Sequence, residues 1–478
     1  VRVNEILTLL VRVRPDIQLV AGLVVAAIVT VHVLLTKREV AAAVGWIGLA
    51  WFSPFLGGAT YFVLGVNRVK RRARRLRGAA ARRVRGVAAA MQLPDEDGHL
   101  RPLRKGIGFI TARDSEAGNA LHILHSGDEA YPQMLAAIAA ARSSIGLSSY
   151  IMRADTIGTR FIEALRAAQD RGVAVRVIVD GIGSGWLASP AYAALRRAGV
   201  PVGRFMHSPM PWRMSFLNLR THKKILVVDG SIGFTGGINI ADQNVLATQP
   251  RNPVQDTHFR IEGPVVAQLV DAFARDWSFL CDEDLDGDAW FPALAERGTA
   301  VARVITAGPD EDLEKVEFAV LQAIACARTS IRLMTPYFLP EQQLVNALSL
   351  AAMRGVAVEV ITPERSDHRL IDWAMRANVG PLLTDGVTMW RSPPPFRHSK
   401  VLVVDGEWCL IGSSNWDMRS FRLNFELCVE VYDRELAAAL EALLAANRRH
   451  RLEVAELQAR SLPVQLGDAG ARLLLPYL

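Results

Sequence analysis

Lysine is scarce in this chain: of 55 basic residues only 7 are lysines and the remaining 48 are arginines. Cysteine is scarcer still. The four present, Cys281, Cys326, Cys409 and Cys428, show no CxxC spacing, which excludes a zinc knuckle and a disulfide framework and reads as small core residues in a reducing compartment. No cluster of His, Asp and Glu has metal-ligand spacing either. The acidic stretch Asp282 to Asp288 imitates the opening of a calcium loop, but position twelve is Ala293 instead of a bidentate Glu, so it reads as an acidic linker. No metal and no cofactor is expected.

Charge is missing from two long runs near the N-terminus. The chain is 50% apolar with mean hydropathy +0.18 and 22% charged residues, an excess that belongs in a membrane segment. Ile17 to Leu35 carries no charge, and at about 1.5 Å per residue such a run crosses roughly 30 Å of hydrocarbon. Val40 to Val66 follows after a four-residue polar loop and contains Pro54 and Gly57-Gly58, which predicts a kinked second span, with a re-entrant hairpin as the alternative. His32 is expected at the interface. Acids are then absent from Arg68 to Arg85, which holds ten Lys or Arg. By the positive-inside rule that flank is cytoplasmic, and it also suits anionic headgroups. The net charge of +7 points to an anionic partner, phospholipid or nucleic acid. The basic run has no interleaved aromatics and abuts a span, so a lipid surface is favoured and no nucleic acid is expected.

What is present is a duplication. Thr221-His222-Lys223-Lys224-Ile225-Leu226-Val227-Val228-Asp229-Gly230 is echoed by Arg397-His398-Ser399-Lys400-Val401-Leu402-Val403-Val404-Asp405-Gly406. Each copy continues to an Asn 17 residues after its His: Gly236, Gly237 and Asn239 in the first, Gly412, Ser413 and Asn415 in the second. On a strand, His and Lys at i and i+2 share a face. Asp-Gly at the end of an apolar run predicts a hairpin that returns the Asn toward the His. Both motif cations are Lys in a chain dominated by Arg, so a compact, directable ammonium is wanted there. Flanking elements repeat too. Arg142-Ser-Ser-Ile145 is answered by Arg328-Thr-Ser-Ile331, and Arg171-Gly-Val-Ala-Val175 by Arg354-Gly-Val-Ala-Val358, in a βαβ pattern. The Met and aromatic cluster from Phe205 to Leu219 reads equally as core or as a lipid-facing lip. Glu435 to Arg460 reads as terminal helix.

These residues resemble the phospholipase D superfamily, whose signature is the duplicated His-x-Lys-x4-Asp. The stretches Thr335 to Pro340 and Gly412 to Phe421 are similar to the bacterial cardiolipin synthases, and nearly the whole chain is covered. The resemblance implies an α/β fold of two pseudo-symmetric lobes with mixed sheets behind an N-terminal two-helix transmembrane hairpin. The expected boundaries are a membrane module over 1–70 (spans about 17–35 and 40–66), a basic linker over 71–126, and lobes over 127–290 and 291–478. It implies catalytic roles for His222, Lys224, Asp229, His398, Lys400 and Asp405, with His222 as nucleophile and His398 as acid and then base. Asn239, Asn415 and Ser413 are expected on phosphate, and Gly237 is expected to leave room for the diacylglycerol. Asp229 and Asp405 fall on the opposite parity from their His and are expected to brace the hairpins. Asp256 and Glu426, 34 and 28 residues after the His of their own copies, are expected to orient the imidazoles.

The implied reaction joins two phosphatidylglycerols into cardiolipin and glycerol through a phosphatidyl-histidine, at a bacterial inner membrane, with cytoplasmic lobes. Phosphatidylglycerol and an anionic bilayer are the expected partners. The rival readings are a hydrolytic phospholipase D, a phosphatidyltransferase with another acceptor, a membrane-tethered nuclease, and a lipid-binding scaffold with a dead site.

Overall fold

The computed structural model describes residues 2–37, 40–65, 98–207, 219–309 and 312–473. The chain divides into two compact units, Val1–Arg72 and Ala73–Leu478. The basic run Arg68 to Arg85 and the centre of the Met and aromatic cluster, residues 208–218, lie outside the described residues.

In the first unit α1 (Arg2–Thr36) contains Asp16–Thr36, which among the described residues is the one helix long and apolar enough to cross a membrane. The expected second span is broken. α2 (Val40–Phe52) stops at Ser53, because Pro54 lacks an amide hydrogen and its ring clashes with the preceding turn. α3 (Pro54–Thr60) and a π-helical turn (Tyr61–Gly65) follow. Polar groups tie these pieces to α1: His32 Nδ1 lies 2.7 Å from the Tyr61 hydroxyl, and Trp51 Nε1 donates to Thr30 Oγ1 at 3.0 Å.

The second unit is built on a fifteen-stranded mixed sheet. The first lobe supplies β1 (Glu116–His125), β2 (Ser144–Ser149), β3 (Ala174–Asp180), β4 (Val202–Phe205), β5 (Ile225–Val228), β6 (Ile232–Gly236) and β7 (Thr257–Glu262). The second supplies β8 (Ala300–Ala307), β9 (Ser330–Met334), β10 (Ala357–Pro363), β11 (Thr388–Ser392), β12 (Val401–Val404), β13 (Trp408–Gly412), β14 (Glu426–Tyr432) and β15 (His450–Arg451).

Outward from the middle the first lobe reads β1-β7-β6-β5-β2-β3-β4 and the second β8-β14-β13-β12-β9-β10-β11, with β15 at the edge. The two orders are the same, so the sequence duplication is a structural one. β2, β3 and β4 are parallel, as are β9, β10 and β11, because helical crossovers join them. The crossover Thr156–Asp170 shows the local cause. Asp155 caps its first turn by accepting from Gly158 N, and Ile157, Phe161, Leu165 and Ala168 form its buried stripe.

The lobes join where β1 and β8 pair antiparallel, Glu116 opposite Ala302 and Asn119 opposite Ala300. Asn119 fastens this seam, donating to the Glu116 and Ala300 carbonyls and accepting from Val265 N. The first lobe therefore begins at Glu116, earlier than Gly127. The helix Arg101–Thr111, expected as linker, buries Leu103 and Ile107 in the core of the second lobe with Val316 and Val320. One apolar core draws on both lobes, setting Phe259, Ile261 and Phe273 with Val401, Cys409 and Val429.

Beside the seam a buried Arg303 pairs with Glu430 and also donates to the Arg104 and Arg113 carbonyls at 2.8 Å. Trp408 Nε1 and the Tyr432 hydroxyl complete the shell of Glu430. Removing the cation alone strands a buried carboxylate, so Arg303→Leu is expected to cost about 3–5 kcal/mol of stability. Glu430→Gln added to it should recover part of that loss. Thermal unfolding of the three proteins checks this, and a single variant within about 1 kcal/mol of wild type would contradict it.

Candidate active site

Each motif is carried to the middle of the molecule by a hairpin. Asp229, Gly230, Asp405 and Gly406 have φ of +50°, +59°, +54° and +64°, and Ser231 N and Glu407 N bond back to the Val228 and Val404 carbonyls. These are Asp-Gly turns of the type that suits the twist of two-residue hairpins. Regular pairing covers only Ile225–Val228 and Val401–Val404. The His and Lys lie just upstream, on extended segments that bond to the opposite lobe. His222 N donates to the Phe425 carbonyl and Phe425 N to the Arg220 carbonyl, both at 2.8 Å. His398 N donates to the Gln255 carbonyl at 2.8 Å, and Phe396–Arg397 runs parallel to Val254–Gln255.

This exchange brings both motifs together and crosses their acids. His222 Nδ1 lies 3.0 Å from Glu426 Oε2, and His398 Nδ1 lies 2.7 Å from Asp256 Oδ2. Asp256 and Glu426 are thus the partners of the imidazoles, and each serves the His of the other lobe. The pairs leave Nε2 as the nitrogen that faces a substrate.

Burial pushes His222 down to about 4 against the pull of Glu426. Burial and the neighbouring Lys400 also lower His398. Both carboxyls are held below their ordinary range despite burial, Glu426 by His222 and Asp256 by His398.

Lys224 Nζ donates to the His222 carbonyl at 2.7 Å, and Lys400 Nζ donates to the His398 carbonyl and lies 3.0 Å from His398 Nδ1. Burial lowers these ammonium groups to about 7 and about 8, opposed by Glu426 at Lys224 and by Asp256 at Lys400. Lys400 acts on His222 and Lys224 on His398, so the two motifs form one electrostatic unit. Asn239 Oδ1 accepts from Ile151 N at 3.2 Å. Asn415 is 5% exposed and its Oδ1 has no partner among the described residues.

Two expected roles are corrected. Ser413 is fully buried; its hydroxyl donates to Glu426 Oε2 and accepts from Leu427 N at 2.9 Å, so it steadies the acid instead of meeting phosphate. Gly237 leaves room for Asp256, not for a lipid, since a Cβ there would lie 2.2 Å from Asp256 Oδ1.

Asp229 and Asp405, named with the catalytic set, touch neither imidazole. Asp229 accepts from the amides of Arg142, Ser143 and Ser144. Asp405 accepts from those of Arg328, Thr329 and Ser330 and from His99 Nε2 at 2.6 Å. Burial alone would raise Asp405, yet these donors hold it near 2.

Two tyrosines complete the site. The Tyr150 ring stands edge-on to His222 at 4.9 Å, with Lys224 Nζ 5.4 Å from its centroid. Tyr337 stands edge-on to His398 at 6.2 Å and donates to Asp367 Oδ1 at 2.7 Å. Their separation of 187 residues is close to the 186 between Ile145 and Ile331 of the repeated stretches, a signal in the sequence that could have found both. His258, buried and lowered to about 4 by desolvation, has no partner at Nδ1 and was visible only as a neighbour of Asp256. Phe205, at the start of the cluster read equally as core or lip, is core, packed at 5.0 Å against Phe425.

The different fits of the two acids predict different sensitivities. Gly237→Ala displaces Asp256 and should lower turnover ~100-fold or more, the scale of a 1 Å misplacement. Ser413→Ala removes one bond to a charged group and should cost on the order of 10-fold. Steady-state kinetics on the two variants checks this, and equal losses would contradict it.

A family model described as "Cardiolipin synthase, PLD-like domain" matches residues 134–277 and 320–447. The cardiolipin synthase of Geobacillus thermodenitrificans is 32% identical over 454 residues, covering 93% of this chain and 90% of that protein. Cardiolipin synthase A of Pseudomonas aeruginosa is 32% identical over 469 residues, covering 95% and 94%. Among solved structures, a phosphatidylserine synthase from Haemophilus influenzae superposes with a TM-score of 0.57 at 17% identity, covering 75% of this chain and 95% of that one, which is a likeness of fold. With both repeats matched and relatives aligned almost end to end, the chain belongs to the cardiolipin synthase family of phospholipase D-like enzymes.

Proposed function

We propose that the protein joins two phosphatidylglycerol molecules into cardiolipin and glycerol through a phosphatidyl-histidine. The observation that carries this reading is the pair of buried imidazoles, each fixed at Nδ1 by a carboxylate and flanked by a lysine. His222 Nε2 attacks the phosphorus of the first lipid, and the bond to its headgroup oxygen breaks. His398 gives its proton to that oxygen, and glycerol leaves. A hydroxyl of the second lipid then passes its proton to His398 as it attacks phosphorus, and the P–N bond breaks. Lys224, Lys400, Asn239 and Asn415 surround the non-bridging oxygens, where charge develops.

The lowered histidines fit this sequence. His222 is a free base at neutral pH, and an arriving phosphodiester supplies the counter-charge that draws a proton onto His398. The apolar Asp16–Thr36 helix supports attachment to a membrane. The basic run beyond the broken second helix supports a multi-pass arrangement in a bacterial inner membrane, with the lobes on the cytoplasmic side. Water in place of the second lipid would give a hydrolytic phospholipase D. Incubating purified protein with phosphatidylglycerol alone tests the reading: cardiolipin with equimolar glycerol is expected, and phosphatidic acid as the sole product would overturn it.

If one site uses both imidazoles, His222→Ala and His398→Ala each lose nearly all turnover, and the double variant loses no more than either. A single variant keeping a tenth of wild-type activity would refute the shared site.

The lysines set a pH dependence. Each is cationic below its lowered pKa, about 7 for Lys224 and about 8 for Lys400, and neutral above it. An anionic diester binds the charged form, so affinity falls as pH rises through that window. The value of kcat/KM, which reports the free enzyme, should drop at least about tenfold between pH 7 and 9. A flat or rising profile would contradict the assignment.

A further inference from the structure

The chemistry above occupies one phosphate, but the proposed reaction brings two. Resting on that functional reading, the acceptor lipid carries a second phosphate on the far side of its glycerol. We propose that Arg220 and Arg419 form the subsite for this acceptor phosphate, beside His222 and Tyr150.

Arg220 lies two residues before His222 on the extended segment bonded to Phe425 through the Arg220 carbonyl and His222 N. Alternation puts Arg220, His222 and Lys224 on one face. Two extended residues advance about 6.6 Å, comparable with the O–C–C–C–O bridge between the two phosphates of the product. Tyr150 marks the same direction: its ring edge meets His222 at 4.9 Å, and the Arg220 charge acts on its hydroxyl.

Arg419 arrives from the other lobe on the short helix Met418–Arg422 and acts electrostatically on both Tyr150 and Arg220. Arg220 and Arg419 are both half-buried.

The surrounding acids each hold other donors, while Asp180 still acts on Arg220 and Asp417 on Arg419. Asp180 accepts from the amides of Ile182, Gly183 and Thr221 at 2.7–2.9 Å. Asp417 caps Ser420 N at 2.7 Å, and Glu426 is taken by His222, Ser413 and Asn424. Arg220 itself donates to the Leu219 carbonyl at 2.8 Å; among the described residues the Asp180 carboxylate acts on it electrostatically, and none lies at ion-pairing distance. Two neighbouring guanidiniums fit the several oxygens of a phosphodiester.

The second copy lacks this feature. Phe396 occupies the register of Arg220, its ring 5.9 Å from His398 and 6.3 Å from Tyr337. One flank of the site is cationic and the other aromatic, as expected if a second anion enters on one side only.

The test separates acceptors with and without a phosphate. Vesicles of phosphatidylglycerol are given to wild type, to the double variant Arg220→Gln/Arg419→Gln, and to Arg220→Lys/Arg419→Lys. Cardiolipin formation is measured alongside incorporation of labelled free glycerol into phosphatidylglycerol, an exchange that needs only the reacting phosphate. In the Gln pair, cardiolipin formation should fall at least about 30-fold while exchange changes less than about fivefold, and the Lys pair should regain part of the difference. Parallel loss of both reactions in both pairs, or no loss in the Gln pair, would overturn the subsite. A wild-type enzyme that exchanges glycerol yet makes no cardiolipin would instead sink the functional reading and the subsite with it.

Discussion

The structure depends on two hydrogen bonds that cross between lobes, His222 to Glu426 and His398 to Asp256. A nucleophilic or acidic imidazole works only if its second nitrogen is fixed, and here each lobe fixes the imidazole of the other. Neither lobe alone holds an oriented histidine. This makes the seam between β1 and β8 a catalytic requirement as well as a structural one: a slip of one residue would reverse every side chain on the slipped strand and separate acid from base. The Asn119 clamp and the buried Arg303–Glu430 pair sit where such a slip would begin.

The same crossing explains the burial of so much charge. His222, Lys224, Glu426, His398, Lys400 and Asp256 are all 9% exposed or less. Six ionisable groups at one interface carry a large desolvation penalty, part of which their mutual contacts offset. The residue of that penalty appears as lowered lysines and histidines, and an anionic diester relieves it on binding. Affinity for a phosphodiester is thus built into the site as unfavourable charge burial.

Much of this was legible in the sequence because duplication converts weak local signals into strong paired ones. The hairpins followed from Asp229-Gly230 and Asp405-Gly406, and the βαβ units from the repeated Arg-Gly-Val-Ala-Val stretches. Asp256 and Glu426 were found as acids opening strands after each motif. What spacing cannot convey is which lobe an extended segment joins, since the Phe425 and Gln255 carbonyls that capture His222 N and His398 N lie 203 and 143 residues away in sequence. The roles of Ser413 and Gly237 were misjudged for the same reason: a hydroxyl beside a catalytic motif is ambiguous until the position of Glu426 is known. The strand parity of Asp229 and Asp405 did separate them from the site, and their three amide donors apiece show why an acid is wanted at the end of each hairpin.

The repeats have diverged where the reaction is itself unsymmetrical. A transfer through a covalent intermediate needs one imidazole to bond phosphorus and the other to carry a proton, so two identical half-sites would serve neither role best. The short Asp256 packs against Gly237, with no side chain between them, and holds His398 at 2.7 Å. The longer Glu426 reaches His222 at 3.0 Å while shared with Ser413 and Asn424. A carboxylate that divides its charge among three donors raises the basicity of its imidazole less than one with fewer competitors. Under the proposed mechanism His398, held by the less divided acid, is the better proton carrier, and His222 is the weaker base and so the better leaving group from phosphorus. That difference in electrostatic support gives the nucleophile assignment a physical basis within a nearly symmetric pair.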